Sequence, residues 1–379
     1  MGLKLKIALF IPSIESGGVE RNLVIVANHL ASIGYEVSIL YLHINPTIRK
    51  QLDGAINLVH LGLSHKKICI FKSRVFDGLF VFPGTLLFLA RNPDVVTLSF
   101  QSNIVSIVAS KVARTPIIVR VSNHPSVVRF EKGLTRKLAE FLKPLIYRFS
   151  SAIITNSKSC QQAFDHLPTS VCTIYNPIDI AKVRRLGQEP ITHKWFMEPK
   201  SQIVVSVGRL SHQKGFDTLI KAIALAKETT DVKLVIIGEG EKRKELENLA
   251  EELSISHSVS FAGYQENVYK YVSRANLFVL SSRYEGMPNA LIEAVALGVK
   301  VVSTDCESGP KEIVKTKELG ELVPIDDPIA MSNSIIRQLQ NNTPTNVEYQ
   351  LEEFNQDKIL SQYCAAIRSI KRYASESAN

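Results

Sequence analysis

Two carboxylates, Glu285 and Glu293, stand eight positions apart in residues 281–313, SSRYEGMPNALIEAVALGVKVVSTDCESGPKEI. An apolar run at 277–282, LFVLSS, reads as a buried strand that ends where this stretch begins. The loop Glu285-Gly286-Met287-Pro288-Asn289 then leads into a helix running to about Leu297. Pro288 falls at a first helical position, where its missing N–H costs nothing. ALIEAVAL is apolar on every face except at Glu293, so the helix is expected to be buried. A lone carboxylate there is costly unless it is paired or hydrogen-bonded. Both acids can face a crevice above the strand, and the N–H groups of the helix start between them suit a polar or anionic ligand. The competing reading pairs Glu293 with a core arginine and leaves Glu285 in solvent.

Three further motifs carry chemistry. Residues 207–216, VGRLSHQKGF, follow a strand and precede a helix, so Arg209 and Lys214 are placed to clamp a diphosphate; a solvated pair of surface cations is the alternative. Residues 14–21, IESGGVER, follow the first strand and open the first helix. Gly17 and Gly18 allow close backbone approach to a ligand, or simply a tight turn. The spacing is neither G-x-G-x-x-G nor a P-loop, which removes the usual dinucleotide and ATP fingerprints. His124, in RVSNHP, lies just past a strand end, where it serves either a structural contact or a polar contact to substrate.

The elements that must position these residues follow one rhythm. Strand-like runs at 6–12, 36–42, 56–62, 95–100, 116–122 and 152–157 alternate with helical stretches, among them 19–33, 103–112 and 134–149. After a polar, proline-containing stretch at 176–199 the rhythm restarts, with strands at 203–209, 232–238, 259–264, 277–282 and 300–305, and a last helix at 361–373. Such alternation predicts α/β architecture: two tandem Rossmann-like doubly wound domains, 1–177 and 178–379, with ligands at the carboxyl ends of the strands in the cleft between them. The final helix is expected in the second domain or folded back on the first. A length of 379 residues suits two cores better than one.

Charge is divided unequally. Residues 1–177 hold 20 Lys+Arg against 9 Asp+Glu, whereas the whole chain has a net charge of +9, so the entire excess lies in the first half. That asymmetry predicts an anionic partner for the first half. Residues 65–91, with Lys66, Lys67, Lys72, Arg74 and Arg91, and residues 132–149, with Arg136, Lys137 and Lys143, mix cations with apolar side chains. They read as solvated faces or as interfacial membrane segments. No run of eighteen uncharged apolar residues occurs, and the start, MGLKLKIALFIPS, reads as a strand rather than a signal peptide. Five scattered cysteines without metal-type spacing point to reduced thiols in a cytoplasmic protein.

SGGVER, SVGRLSHQKGFDTLI and SRYEGMPNALIEAVALGVKVVSTDCESGP, in this order, resemble the family-4 retaining glycosyltransferases of the GT-B fold over nearly the whole chain. The resemblance implies roles residue by residue. Arg209 and Lys214 would bind the donor diphosphate, Glu293 the ribose hydroxyls, and Glu285 would lie near the donor sugar. Gly286, Met287, Pro288 and Asn289 would bring amides to sugar hydroxyls. Gly17 and Gly18 would line the phosphate and acceptor side, and His124 would be the active-site histidine of the first domain. STDCESGP resembles the version in bacterial enzymes that build O-antigens, capsules and other lipid-linked glycans. Lys300 stands where the family usually has proline, in a helix-to-strand turn away from chemistry.

The implied reaction is a retaining, metal-independent transfer from a UDP-sugar (hexose or N-acetylhexosamine) to a lipid-linked oligosaccharide, without a cofactor, by a peripheral enzyme at the inner, anionic face of the plasma membrane. No D-x-D motif is present, so Arg209 and Lys214 would stabilise the leaving diphosphate in place of a metal ion. Retention implies same-face attack, with Glu285 disfavoured as a covalent nucleophile. Two alternatives remain: a UDP-sugar 2-epimerase of similar architecture, and a nucleic-acid-binding module, for which no recognisable motif is present.

Overall fold

The computed structural model describes residues 4–15, 17–62, 74–124, 143–197, 202–341 and 347–376. Two compact units emerge: Met1–Pro177 together with Asp357–Asn379, and Ile178–Gln356. The first carries 24 Lys+Arg against 11 Asp+Glu and the second 21 against 25, so the basic excess belongs wholly to the first unit.

In the first unit the strands are β1 (Lys6–Phe10), β2 (Ser13–Ile14), β3 (Glu36–Tyr41), β4 (His43–Ile44), β5 (Asn57–His60), β6 (Val96–Ser99), β7 (Ile117–Val121), β8 (Ala152–Thr155) and β9 (Ser170–Thr173). Seven of them form a parallel sheet in the order β5-β3-β1-β6-β7-β8-β9, and β2 pairs with β4 separately. Central strands such as VTLS and AIIT are buried throughout, as a sheet covered on both faces requires. The winding reverses between β1 and β6, which opens a crevice at their carboxyl ends. Behind that edge Asn103 Nδ2 donates to the carbonyl of Arg120 at 3.0 Å, and Ser99 Oγ donates to Asn103 Oδ1 at 2.8 Å. The Arg120 guanidinium, 1% exposed, donates to Tyr363 Oη at 2.8 Å, to Ser122 Oγ at 2.6 Å and to Asn176 Oδ1. It thereby fastens the C-terminal helix, Gln356–Glu376, to the end of β7.

The second unit repeats the plan with β10 (Gln202–Val207), β11 (Val232–Ile237), β12 (Val259–Gly263), β13 (Leu277–Leu280), β14 (Val301–Thr304) and β15 (Gly320–Val323). Their order, β12-β11-β10-β13-β14-β15, is all parallel and reverses between β10 and β13. Leu219, Ile220 and Ile223 of the helix Phe216–Ala226 pack with Val204, Leu234, Ile236, Met331 and Ile335. Burial of each such side chain contributes on the order of 1.5–3 kcal/mol.

The structure adds elements to the sequence reading. β9 and β15 are short edge strands, and β15 begins at Gly320 and holds Glu321, so neither has an apolar run. Residues 176–199 contain a helix, Ile180–Gly187, whose N-cap Asp179 accepts from the Lys182 amide at 2.8 Å. The helix Pro328–Gln340 starts on an Asp-Pro pair, with Asp327 capping Ala330. Most of the helix expected at 134–149 lies outside the described residues, as do Lys66, Lys67, Lys72, Arg136 and Lys137.

Candidate active site

The loops that leave β10 and β13, neighbours at the reversal of the second sheet, carry six of the candidate residues, and the helix after the second loop carries two more, Asn289 and Glu293. After β10 the chain runs through Arg209 into a 3₁₀ turn, His212–Lys214, then Gly215 at φ +60°, then the helix Phe216–Ala226. A Cβ on Gly215 would stand 2.1 Å from the carbonyl oxygen of Ser281, so only glycine lets the two loops approach this closely. Arg209 is exposed on this loop.

Lys214 and Glu285 form the centre of the arrangement. Lys214 Nζ lies 2.6 Å from Glu285 Oε1, and Ser282 Oγ donates to the same oxygen at 2.6 Å. The side chains are 21% and 8% exposed, so Glu285 is not solvated, and the attraction acts in a medium less polar than water. Cys306 lies near Glu285. Burial first, and then the Glu285 charge, push its thiol up to about 12, so it stays protonated. The loop at Gly286 is held from the other side. Ser308 Oγ donates to the Gly286 carbonyl at 2.7 Å, and Gly309, at φ +83°, lies so close that a Cβ would meet that oxygen at 2.4 Å.

The helix that follows is Asn289–Ala296, one residue later than the sequence suggested. Pro288 is its N-cap at φ −77°, ψ 100°, and its carbonyl accepts from the Leu291 amide at 3.0 Å. Proline has no N–H, so the amides expected at 286–289 reduce to those of Gly286, Met287 and Asn289. Glu293 is buried and accepts from Tyr269 Oη at 3.0 Å. The two acids therefore share one loop and helix but have different partners: a cation for Glu285, a phenol for Glu293.

Gly17, Gly18 and His124 belong to the first unit. Gly17 is the N-cap of the helix Gly18–Ser32 and has an extended backbone, φ −139°, which any residue adopts. An added Cβ on Gly17 would stand 2.3 Å from Glu20 Oε2, the far end of a flexible side chain. Gln101 Nε2 donates to the other carboxylate oxygen at 2.9 Å. Glu20 is the third residue of the helix, where a folded-back carboxylate suits the exposed amides and the positive end of the helix dipole. His124 follows β7 by three residues. Its loop is tied down at Ser122, whose carbonyl accepts from Asn156 Nδ2 at 3.0 Å.

The family models match both halves of the chain: Glycosyltransferase Family 4 over residues 16–182, and Glycosyl transferases group 1 over residues 188–354. The chain is a family 4 glycosyltransferase. Among its relatives is the N-acetylgalactosamine-N,N'-diacetylbacillosaminyl-diphospho-undecaprenol 4-alpha-N-acetylgalactosaminyltransferase of Campylobacter jejuni, 29% identical over 89% of this chain and 91% of that protein. A second C. jejuni protein, the GalNAc-alpha-(1->4)-GalNAc-alpha-(1->3)-diNAcBac-PP-undecaprenol alpha-1,4-N-acetyl-D-galactosaminyltransferase, is 29% identical over 97% of this chain and 99% of its own. Among solved structures, Anabaena HepE in complex with UDP and glucose superposes with a TM-score of 0.76 at 19% identity, covering 96% of this chain and 100% of that one. The fold class is therefore GT-B.

In this glycosyltransferase several supporting residues escaped the sequence reading. Ser282, Tyr269, Ser308 and Cys306 surround the two acids, yet a lone serine, tyrosine or cysteine has no spacing that announces it. Arg283 sits inside the quoted motif and is 7% exposed. Its Nη atoms bind Asp217 in a fork at 3.0 and 2.7 Å, and its Nε lies 2.9 Å from Asp326. Burial alone would raise the Asp217 pKa, but the Arg283 hydrogen bonds and charge outweigh it and hold this carboxyl below its ordinary range. Lys300 precedes β14 and donates to the carbonyl of Asn341.

Proposed function

We propose that this glycosyltransferase transfers a sugar from a UDP-sugar, a hexose or N-acetylhexosamine, to a lipid-linked glycan, with retention and without a metal ion or cofactor. The observation that carries the proposal is the shielded Lys214–Glu285 pair at the winding reversal of the second sheet. Arg209 shares its loop, and two helix starts, at Gly215 and Pro288, flank it. When the bond between the anomeric carbon and the diphosphate oxygen breaks, negative charge grows on the phosphate, and fixed cations and amides stabilise it without a divalent ion. Glu293, a buried carboxylate, would accept the ribose hydroxyls. Glu285 would stand beside the positive charge that develops on the sugar ring. The acceptor oxygen bonds to the same face that the phosphate leaves, and its proton passes to the departing phosphate oxygen.

The C. jejuni relatives, named for diphospho-undecaprenol acceptors, support a lipid-linked acceptor. The HepE complex supports a UDP donor. The basic first unit suits the inner, anionic membrane face as peripheral docking site. Val108, Val112, Leu145 and Phe149 are exposed there, and Lys111 and Arg148 lie 5.4 and 5.7 Å from the Phe149 ring centroid, joining cations to apolar side chains. No helix among the described residues is long and apolar enough to cross a membrane. The test is a panel of UDP- and GDP-sugars offered with a polyprenyl-diphosphate glycan. Turnover of one UDP-sugar, with an α-linked product from an α-linked donor, supports the proposal; turnover of GDP-sugars alone, or an inverted product, refutes it.

A further inference from the structure

Three successive carbonyls of the turn His212–Lys214 accept hydrogen bonds from one short stretch at the end of β13. Arg283 Nη1 donates to His212 O at 2.7 Å, the Arg283 amide to Gln213 O at 2.8 Å, and Ser281 Oγ to Lys214 O at 2.8 Å. Gln213 Nε2 answers by donating to Tyr284 O at 2.9 Å. Peptide planes whose carbonyls are held on one side turn their N–H groups to the other. The turn is closed by its own 3₁₀ bond, from the Lys214 amide to the Ser211 carbonyl at 3.1 Å, and left-handed Gly215 then starts the helix.

Arg283 is the hub of this lacing. Its fork closes on Asp217 in the first turn of the next helix, and its Nε on Asp326, which itself accepts from Thr218 Oγ1 at 3.1 Å. Four of the five guanidinium hydrogens are thus committed, which leaves it almost nothing to offer a ligand. We propose that Arg283 is a positioning residue for the donor diphosphate: it holds the loop that carries Arg209 and Lys214 in register with Glu285 without touching the donor. The inference rests on the reading of Arg209 and Lys214 as diphosphate ligands. Lysine keeps the charge but cannot reproduce a fork shared between a carboxylate and a carbonyl. Without the fork, Asp217 and Asp326 also remain behind the cationic loop and draw its charges away from the ligand.

The experiment compares UDP with uridine by calorimetry on the full chain. Uridine keeps the contact assigned to Glu293 and lacks the diphosphate. Arg283→Lys should weaken UDP by about 10- to 100-fold, the scale of losing a charge-assisted hydrogen bond to the diphosphate, and leave uridine affinity unchanged. Asp217→Asn, at a side chain 38% exposed, should shift UDP in the same direction by less and keep the fold if Arg283→Lys does not. Equal UDP affinity in wild type and both variants overturns the inference. Parallel loss of UDP and uridine, tracking a lower melting temperature, also overturns it, because Arg283 is then general support. A wild type that binds no UDP removes the donor reading itself, and the inference with it.

Discussion

Substituting Lys214 by methionine should have two separable consequences. Methionine keeps the length and apolar stem but removes the charge, leaving Glu285, 8% exposed, with only the Ser282 hydroxyl of the two donors that now meet at Oε1. Removing one member of a buried ion pair costs roughly 3–5 kcal/mol. Lys214 is 21% exposed, which places the expected loss at the lower end, about 3 kcal/mol of folding stability. Adding Glu285→Gln should recover most of it, because a neutral amide no longer requires a counter-charge and still accepts from Ser282. UDP affinity should behave differently. If Lys214 donates a charge-assisted hydrogen bond to the diphosphate, both the single and the double variant lose about 1.5–3 kcal/mol of binding. Denaturant titration and calorimetry on wild type and these two variants give both quantities. A double variant that recovers stability and UDP affinity together would refute the assignment of Lys214 to the diphosphate.

Three further outcomes follow from the same geometry. Glu293→Ala, which removes the acceptor of Tyr269, should cost roughly 1.5–3 kcal/mol in UDP binding, and unchanged calorimetric affinity in a folded variant would remove Glu293 from the ribose. Transfer should survive saturating EDTA; complete loss restored by Mg²⁺ or Mn²⁺ would show that cations of the protein do not suffice. Glu321 is held at about 2, chiefly by its hydrogen bond from Arg337, against an ordinary value of 4.5. A depressed carboxylate stabilises the fold fully above the unfolded value and loses that contribution as pH falls from about 4.5 towards 2. Glu321→Gln should therefore flatten the acid limb of a melting-temperature profile in that window, and an unchanged limb would show that the pair does not contribute.

Much of the fold is legible because a parallel sheet buried on both faces writes itself as continuous apolar runs. VVTLSF, AIITNS and LFVLSS each became central strands. Where the sheet ends, that signal fades: β9 and β15 have only one neighbour each, and GELV carries a glycine and a charge. The helix Pro328–Gln340 had a visible start in Asp327-Pro328 and an apolar repeat at Met331, Ile335 and Leu339, so the sequence contained that information. The acids of the candidate site were visible as charge in an apolar context, but their partners were not. Lys214 lies 71 positions from Glu285, and Tyr269 lies 24 positions from Glu293, and only the winding order of the sheet brings the first pair to one edge.

If the loops after β10 and β13 form the nucleotide-diphosphate site, a crystal structure of the protein soaked with UDP will show it. The diphosphate is expected within hydrogen-bond distance of Arg209 and Lys214, the ribose hydroxyls on the Glu293 carboxylate, and Arg283 still on Asp217 and out of contact with the ligand. UDP bound elsewhere, or bound here with its ribose away from Glu293 and its phosphates away from Lys214, would contradict it.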